Sequence, residues 1–323
     1  MSSPGLPLRV GDRGAAIRDL HRLLAPAGES PIEGEEYNAD TEAAVKRFQQ
    51  ARGLVTDGIC GSHTWMALVE ADHRLGDRML YLRSPMTRGD DVTELQRRLG
   101  SLGFDAGWVD GIFGPDTQRA VHEFQSNAGL TADGVVGLDT VASLDRLAGR
   151  QAGDRTVAAV REMERLRHHS VELAGRRLVV AESGGLPSVA QSLARRLVKD
   201  GAEVLLLNQP NLSAQARTAN DWDGEVYVGV TIATGDLSVA YFATSGFESA
   251  GGRALATRCA GEISEVLDHP FTATGMRLPI LRETRMPAVW CRVGPGPLVV
   301  ERSAPLARAL HHAITGWCTT PLD

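Results

Sequence analysis

Side chains that could do metal or nucleophilic chemistry are scattered through the second half of the chain. The candidates for a metal site are Glu182, His269, Glu301, His311 and His312. None of them has the HxxxH or HxxE spacing that places two ligands on one face of a helix. No G-x-S-x-G elbow is present, and no cysteine is paired in sequence with a histidine that could activate it. From these residues alone we predict no metal, no cofactor and no catalytic residue.

The composition is that of a folded protein with about two domains. The chain has 323 residues, of which 43% are hydrophobic and 23% charged, and its four cysteines are far apart, as expected of buried free thiols. Lys and Arg total 34 against 40 Asp and Glu, and the sequence has no dense run of basic residues that would bind a nucleic-acid backbone. No signal peptide and no membrane-spanning stretch are recognisable. We therefore expect a cytoplasmic protein that binds no nucleic acid.

The first half contains an internal repeat. AVKRFQQARGLVTDGICGSHTWMAL pairs with AVHEFQSNAGLTADGVVGLDTVASL at a constant offset, which superposes Phe48 on Phe124 and Gly58 on Gly134. Upstream, LRVGDRGAAIRDLHRLL pairs with SPMTRGDDVTELQRRLGSLGF, and we align Gly11 with Gly89. Apolar stripes and Asp-Gly turns predict the order helix, loop, helix, Gly-rich turn, helix in each copy.

The second copy resembles the peptidoglycan-binding domain of the three-helix type through RGxxVxxLQxxLxxLGF, VDGIFGPDTQRAVHEFQ and GLTADGVVG. The first copy resembles it less closely, because residues 26–37 depart from the YxxDGxFGxxT loop of that family. The resemblance implies a groove for peptidoglycan fragments, formed by Trp108, Asp110, Phe113, Gly114 and Thr117. A purely structural role, in which these residues cap helices and fill a small core, is an equally open interpretation.

The second half is predicted to be an α/β domain. The segments LVVA, SVAQSLARRLVKDG and AEVLLLN predict strand, helix and strand, with Pro187 at the start of the helix and Gly201 after its end. Further strands are predicted at EVYVGVTIA, SVAYFAT and PAVWCRV, with helices around 254–267 and at the end of the chain. These elements predict a mixed sheet flanked by helices.

The order of these elements is similar to that of the zinc-dependent N-acetylmuramoyl-L-alanine amidases. AEVLLL, ARTAN and LRETRMPAVWCRVG stand where that family has GxxVxxxR, RxxxAN and LRxxxMPAVLVExG. Such enzymes hold Zn²⁺ with two His and one Glu and use a further Glu as base. This chain has Gly184 and Thr231 at the two His positions and Arg292 at the base, and the segment carrying the Glu ligand is missing after Gly185. The resemblance therefore implies a catalytically inactive amidase domain, a pseudoenzyme.

Together the patterns predict a multidomain protein with two small all-α three-helix repeats and an α/β amidase-like domain. The predicted boundaries are repeats at 1–78 and 79–149, a linker helix at 150–173 and the amidase-like domain at 174–323. Glu182, Arg285 and Arg292 are predicted to form an anion-binding or partner surface, because arginine recognises carboxylate and phosphate groups through paired hydrogen bonds.

The whole chain resembles a family of actinobacterial cell-wall regulators built from these same parts. That resemblance implies regulation of peptidoglycan precursor synthesis. Its partner would be the UDP-N-acetylglucosamine enolpyruvyl transferase or the flippase for the lipid-linked precursor. Two alternatives stay open: an active N-acetylmuramoyl-L-alanine amidase of cell-wall hydrolysis, and an exported protein that binds the wall.

Overall fold

A computed structural model describes residues 5–28, 32–148, 157–168, 172–244 and 246–322. The chain divides into two compact units, Met1–Val160 and Arg161–Asp323. The first unit contains the helical repeats and the second contains the mixed sheet with its flanking helices, so the predicted fold class is confirmed. Within the described ranges, no helix combines the length and apolar character needed to cross a membrane.

Each repeat consists of three helices around a small core of its own. In both copies the apolar stripe of the first helix is buried in that core, as the periodicity predicts. The helices of the first repeat are α1 (Ala15–Leu24), α2 (Ala39–Ala51) and α3 (Ser62–Ala71), and those of the second are α4 (Asp90–Ser101), α5 (Pro115–Ala128) and α6 (Leu138–Ala148).

The helix caps correct the alignment of the two repeats at their first helix. The residue that precedes α1 is Gly14 and the residue that precedes α4 is Gly89, so Gly14 is the counterpart of Gly89. The expected pairing of Gly11 with Gly89 is wrong. Gly11 lies in the preceding turn, where its φ of 94° is in the left-handed region that glycine adopts without strain.

The second unit contains seven strands and seven helices among the described residues, counting the linker helix. The strands are β1 (Arg177–Glu182), β2 (Glu203–Asn208), β3 (Val226–Ile232), β4 (Ser238–Thr244), β5 (Phe247–Glu248), β6 (Ala273–Met276) and β7 (Ala288–Val293). The helices are α7 (Val157–Arg167), α8 (Pro187–Lys199), α9 (Leu212–Asp221), α10 (Ala250–Leu267), α11 (Pro279–Glu283), α12 (Gly296–Glu301) and α13 (Ser303–Thr319).

Most of these elements follow the sequence prediction. The predicted linker helix is α7, although 150–156 and 169–171 of the linker lie outside the described residues. β5, β6, α11 and α12 were not predicted, because elements of two to six residues are too short to show a hydrophobic period. The four cysteines are buried free thiols, as predicted.

The strand order in the sheet is β2-β1-β3-β7-β4-β5, with β6 also paired to β4. β2, β1, β3 and β7 run parallel, whereas β4 is antiparallel to β7, which makes the sheet mixed. One face carries the main core with α8, α10 and α13, and the other face carries α9 and α11. β2 and β3 lie on opposite sides of β1, so the connections that leave β1 and β2 run in opposite directions across the sheet. The crevice at the carboxyl ends of β1 and β3 is therefore where α/β sheets usually bind ligands.

Candidate functional site

The carboxyl edge of the parallel strands brings together three of the predicted site positions. Gly184 follows the end of β1, while Thr231 on β3 and Arg292 on β7 are directly paired in the sheet. Glu182, the last residue of β1, is paired with Val230 of β3. The segments that carry these positions therefore meet at one edge of the sheet.

Glu182 is buried, with 2% of its surface exposed. Its Oε2 accepts hydrogen bonds from the backbone N–H groups of Gly184 at 2.8 Å and Leu186 at 3.2 Å. These amides lead into the N-terminus of α8, where the helix dipole favours a negative charge. The carboxylate therefore acts as an internal cap for the loop after β1, and it is not part of an exposed anion-binding surface.

The two hydroxyl groups in the crevice bind each other. Ser183 Oγ donates a hydrogen bond to Thr231 Oγ1 at 3.0 Å, which links the ends of β1 and β3. Gly184 beside them has a φ of 124°, in the left-handed region that favours glycine, and the space around its Cβ position is open. The loop is therefore held by hydrogen bonds within the chain.

Arg292 lies inside the sheet edge with 7% of its surface exposed. Its Nη2 donates a hydrogen bond to the carbonyl oxygen of Gly235 at 3.3 Å, in the turn between β3 and β4. The guanidinium group thus contributes to the packing of that turn.

The three predicted positions do not suit a zinc ion. Gly184 has no side chain, Thr231 offers a neutral hydroxyl group that already accepts a hydrogen bond, and Arg292 is cationic with no acceptor atom. Across the described ranges, no three His, Cys, Asp or Glu side chains are grouped closely enough to hold a metal ion.

Arg285 is separated from the other two members of the predicted surface. It is exposed and lies just before the first residue of β7, whereas Arg292 lies near the last residue of that strand. The two residues therefore lie at opposite ends of β7. The prediction that Glu182, Arg285 and Arg292 form one surface is wrong, because two of them are buried and the third is at the far edge.

Asn220 connects the two segments that carried the amidase resemblance in sequence. Its Nδ2 donates to the carbonyl oxygen of Glu283 at 2.7 Å, and its Oδ1 accepts from the N–H of Arg285 at 2.9 Å. The ARTAN segment is thereby joined to the LRETRMP segment. This contact gives both motifs a structural role at the edge opposite the crevice.

A buried network behind the crevice was missed by the sequence analysis. Gln215 on α9 donates from Nε2 to the carbonyl oxygen of Glu182 at 3.0 Å and to that of Gln209, while Tyr227 donates from Oη to Gln215 Oε1. Burial raises the pKa of Tyr227 well above its ordinary value. The only sequence signal is a glutamine among the apolar positions of α9, which also suits an exposed residue.

In the second repeat, the predicted groove residues differ in accessibility. Phe113 and Thr117 are buried, whereas Trp108 is partly exposed. Gly114 caps the start of α5, and Asp110 Oδ1 accepts a hydrogen bond from the N–H of Ile112 at 2.8 Å. Trp108 is thus the large side chain of this set that is accessible from outside.

The loop is fixed by Gln96, which the sequence analysis also missed. Gln96 Nε2 donates to Asp110 Oδ1 at 2.8 Å, to the carbonyl oxygen of Ile112 at 3.1 Å and to Thr117 Oγ1 at 3.1 Å, and its Oε1 accepts from the N–H of Gly111 at 2.7 Å. We call this arrangement an amide clamp. Two further amide clamps fix the Gly-rich turns before the third helices, with Gln49 in the first repeat and Gln125 in the second.

The known proteins similar to this chain include a relative that matches nearly all of it. It is the N-acetylmuramoyl-L-alanine amidase CwlM of Mycobacterium tuberculosis, which is 32% identical over 336 residues, covering 90% of this chain and 82% of CwlM.

The chain belongs to the CwlM family.

Other comparisons match parts of the chain. The profile of a putative peptidoglycan binding domain matches residues 13–68 and 88–144, one match in each repeat, so the resemblance of both repeats to that domain is confirmed. The N-acetylmuramoyl-L-alanine amidase CwlL of Bacillus licheniformis is 34% identical over 168 residues, covering 45% of this chain and 47% of CwlL. The crystal structure of an N-acetylmuramoyl-L-alanine amidase from Clostridium difficile 630 aligns with a TM-score of 0.38 at 15% identity, covering 46% of this chain and 99% of that one.

Proposed function

We propose that this CwlM-family protein is a pseudoenzyme that regulates peptidoglycan precursor synthesis by binding an enzyme of that pathway. The candidate partner is the UDP-N-acetylglucosamine enolpyruvyl transferase, and the flippase of the lipid-linked precursor is the second. The helical repeats would bind peptidoglycan fragments. The proposal locates the protein in the cytoplasm, where the soluble precursors are made, and cell fractionation tests that part.

The observation that carries the proposal is the chemistry of the crevice. An amidase of this type needs two imidazoles, a carboxylate ligand and a carboxylate base around one metal ion. At the positions matched to two of these ligands and to the base, this chain has Gly184, Thr231 and Arg292, and Arg292 can neither accept a proton nor bind a cation. The nearby carboxylate of Glu182 is held by two backbone amides. These features support binding rather than hydrolysis as the task of the second unit.

The first test measures the partner enzyme directly. Purified protein is added to the enolpyruvyl transferase of the same organism, and phosphate release is followed with and without it. The proposal expects a higher rate and a complex on size exclusion. An unchanged rate without a complex would remove the transferase as the partner, and the same binding experiment would then be made with the flippase.

The second test concerns the repeats. Pull-down on insoluble peptidoglycan is compared for the unmodified protein, Trp108→Ala in the second repeat and Trp65→Ala in the first. Both tryptophans are partly exposed, and because Trp65 also packs against the core of the first repeat, circular dichroism checks that each variant is folded. We expect Trp108→Ala to reduce retention and Trp65→Ala to leave it nearly unchanged. Equal loss in both variants would contradict a groove at the second repeat.

An active amidase is the second candidate function, and the names of CwlM and CwlL favour it. It predicts stoichiometric zinc by elemental analysis of the purified protein together with release of stem peptide from muropeptides. Both results together would overturn the pseudoenzyme proposal. Zinc without cleavage would leave it in place, because a bound metal alone does not hydrolyse the amide.

A further inference from the structure

The part of helix α7 that belongs to the second unit carries one buried carboxylate. Glu162 is 7% exposed, and its carboxylate accepts three hydrogen bonds from the start of α10. The donors are Ser249 Oγ at 2.6 Å, Ala250 N at 3.0 Å and Gly251 N at 3.3 Å. The N–H groups of a helix start stabilise a negative charge, whereas burial of Glu162 has the larger effect and raises its pKa.

The apolar part of this contact is small. From Arg161 onward, the buried residues of α7 are Glu162 and Leu166. Leu166 packs closely on α10, since a Cβ added at Gly251 would lie 3.1 Å from Leu166 Cδ1. By contrast, α8 buries five apolar side chains against the sheet, which are Val189, Ala190, Leu193, Ala194 and Leu197. Burial of one apolar side chain stabilises a helix less than burial of a full apolar stripe, so α7 opens at a lower free energy than α8.

The start of α10 has other supports that do not depend on α7. Ser249 Oγ accepts a hydrogen bond from the N–H of Gly252 at 3.0 Å, and Trp317 of α13 donates from Nε1 to the carbonyl oxygen of Gly251 at 3.0 Å. When α7 leaves, the freed donors at Ser249, Ala250 and Gly251 can bind water. The second unit therefore retains its fold in the open state.

We propose that α7 docks reversibly on the second unit and that Glu162 holds it in the docked, closed state. We call α7 the strap and Glu162 its latch. Opening releases the helix that leads from the repeats into the sheet and exposes the donors at the start of α10. Closing restores the three hydrogen bonds and the Leu166 contact. The strap is a conformational device of this unit and does not depend on the function proposed above.

Native-state hydrogen exchange of the full chain tests this directly. In the unmodified protein, the amides of 163–167 should exchange by local opening, with a weaker dependence on low concentrations of denaturant than those of β1, β3 and β7. Glu162→Gln should accelerate exchange in 163–167 and in the first turn of α10 about tenfold, since a charge-assisted hydrogen bond is lost. Glu164→Gln on the same helix is the matched control, because Glu164 is exposed and pairs with Arg167 and His168 of its own helix end.

Three results would overturn the latch. The first is exchange of α7 in the unmodified protein only by global unfolding, with the same denaturant dependence as the strands. The second is no acceleration of α7 in Glu162→Gln. The third is equal acceleration throughout the sheet, which would make Glu162 a general stabilising residue. If Glu162→Gln does not fold, Leu166→Ala provides the second variant, with the same selective acceleration of α7 expected.

Discussion

The two helical repeats fix their first loop in different ways. In the second repeat, Gln96 forms an amide clamp with three hydrogen bonds to the loop before α5 and one to Thr117 in the first turn of α5. In the first repeat, His21 takes the place of Gln96 and contacts the carbonyl oxygen of Gly34 at 3.2 Å and Thr41 Oγ1 at 2.8 Å. The clamps of the second loop, at Gln49 and Gln125, are present in both repeats.

This difference indicates which part of the repeat is needed for folding and which part can vary. A clamp before the third helix is retained in both copies, so we infer that the three-helix packing requires it. The clamp before the second helix is complete only where the loop resembles the binding loop of the family. A neutral amide has the same hydrogen-bonding groups at every pH, whereas an imidazole gains a proton in acid. The two loops should therefore differ both in stability and in their response to pH.

The largest effect should come from removing the clamp in the second repeat. Gln96→Leu leaves the buried N–H of Gly111 without its acceptor, and we expect it to lower the free energy of opening by about 3 kcal/mol. His21→Leu in the first repeat removes two contacts and should cost about 1.5 kcal/mol. Hydrogen exchange of peptides from each repeat measures both values in the full chain. Equal losses at the two positions would show that the clamp is no stronger than the histidine contact.

The caps of the first helices should respond differently to alanine. At Gly89 a Cβ would lie 2.1 Å from Asp91 Oδ1 and 2.7 Å from Arg78 Nη2, so it would displace the buried Arg78–Asp91 ion pair. We expect Gly89→Ala to destabilise the second repeat by about 2 kcal/mol. At Gly14 the space is open but φ is 119°, and Gly14→Ala should cost about 1 kcal/mol through backbone strain. A larger loss for Gly14→Ala than for Gly89→Ala in denaturant titrations would contradict this steric explanation.

Acid should weaken the first repeat before the second. Burial lowers the pKa of His21 below its ordinary value of 6.5, with the hydrogen bond to Gly34 opposing the shift. As the pH falls, His21 of the unfolded chain therefore takes up a proton before His21 of the folded chain does. The stabilising contribution of the neutral ring is present above about pH 6.5 and is lost as the pH falls through the lower pKa of the folded state. Exchange of peptides from α1 and α2 between pH 7 and 5, corrected for intrinsic rates, measures this, and His21→Gln should abolish the dependence.

The smallest effect concerns the ion pair between the repeats. Arg52 at the end of α2 pairs with Asp90 at the start of α4, and its guanidinium carbon lies 5.5 Å from the ring centroid of Phe48. Both partners are partly exposed, so we expect a coupling energy of about 0.5 kcal/mol. A double-mutant cycle with Arg52→Gln and Asp90→Asn measures it. A coupling energy indistinguishable from zero would mean that this pair does not link the stabilities of the two repeats.

The helices of the repeats were predictable because their apolar stripes recur at helical spacing in both copies. The alignment of Gly11 with Gly89 failed because Gly-Asp occurs at both places, whereas the cap of the first helix is the glycine after Arg13. The amide clamps were not predicted, since a glutamine within a helix has the same sequence signature whether it faces solvent or a buried turn.

The candidate site was predicted less well than the fold. The convergence of Gly184, Thr231 and Arg292 at one edge followed from the strand order and the family resemblance. The burial of Glu182 did not follow from the sequence. Its hydrogen-bond partners are backbone amides, which every residue type except proline provides. The predicted strand PAVWCRV matches β7 to within one residue and already separates Arg285 from Arg292, so the surface prediction failed because it did not take the length of that strand into account.

The cap formed by Glu182 also limits which substitutions the loop after β1 can accept. Gly184→His would place a side chain on a backbone with a φ of 124°, which is strained for any residue other than glycine. Changing that backbone would in turn break the hydrogen bonds that Glu182 accepts from Gly184 and Leu186. A side chain at position 184 would therefore require a different loop after β1. The residue type at Gly184 and the backbone of this loop are coupled through the carboxylate of Glu182.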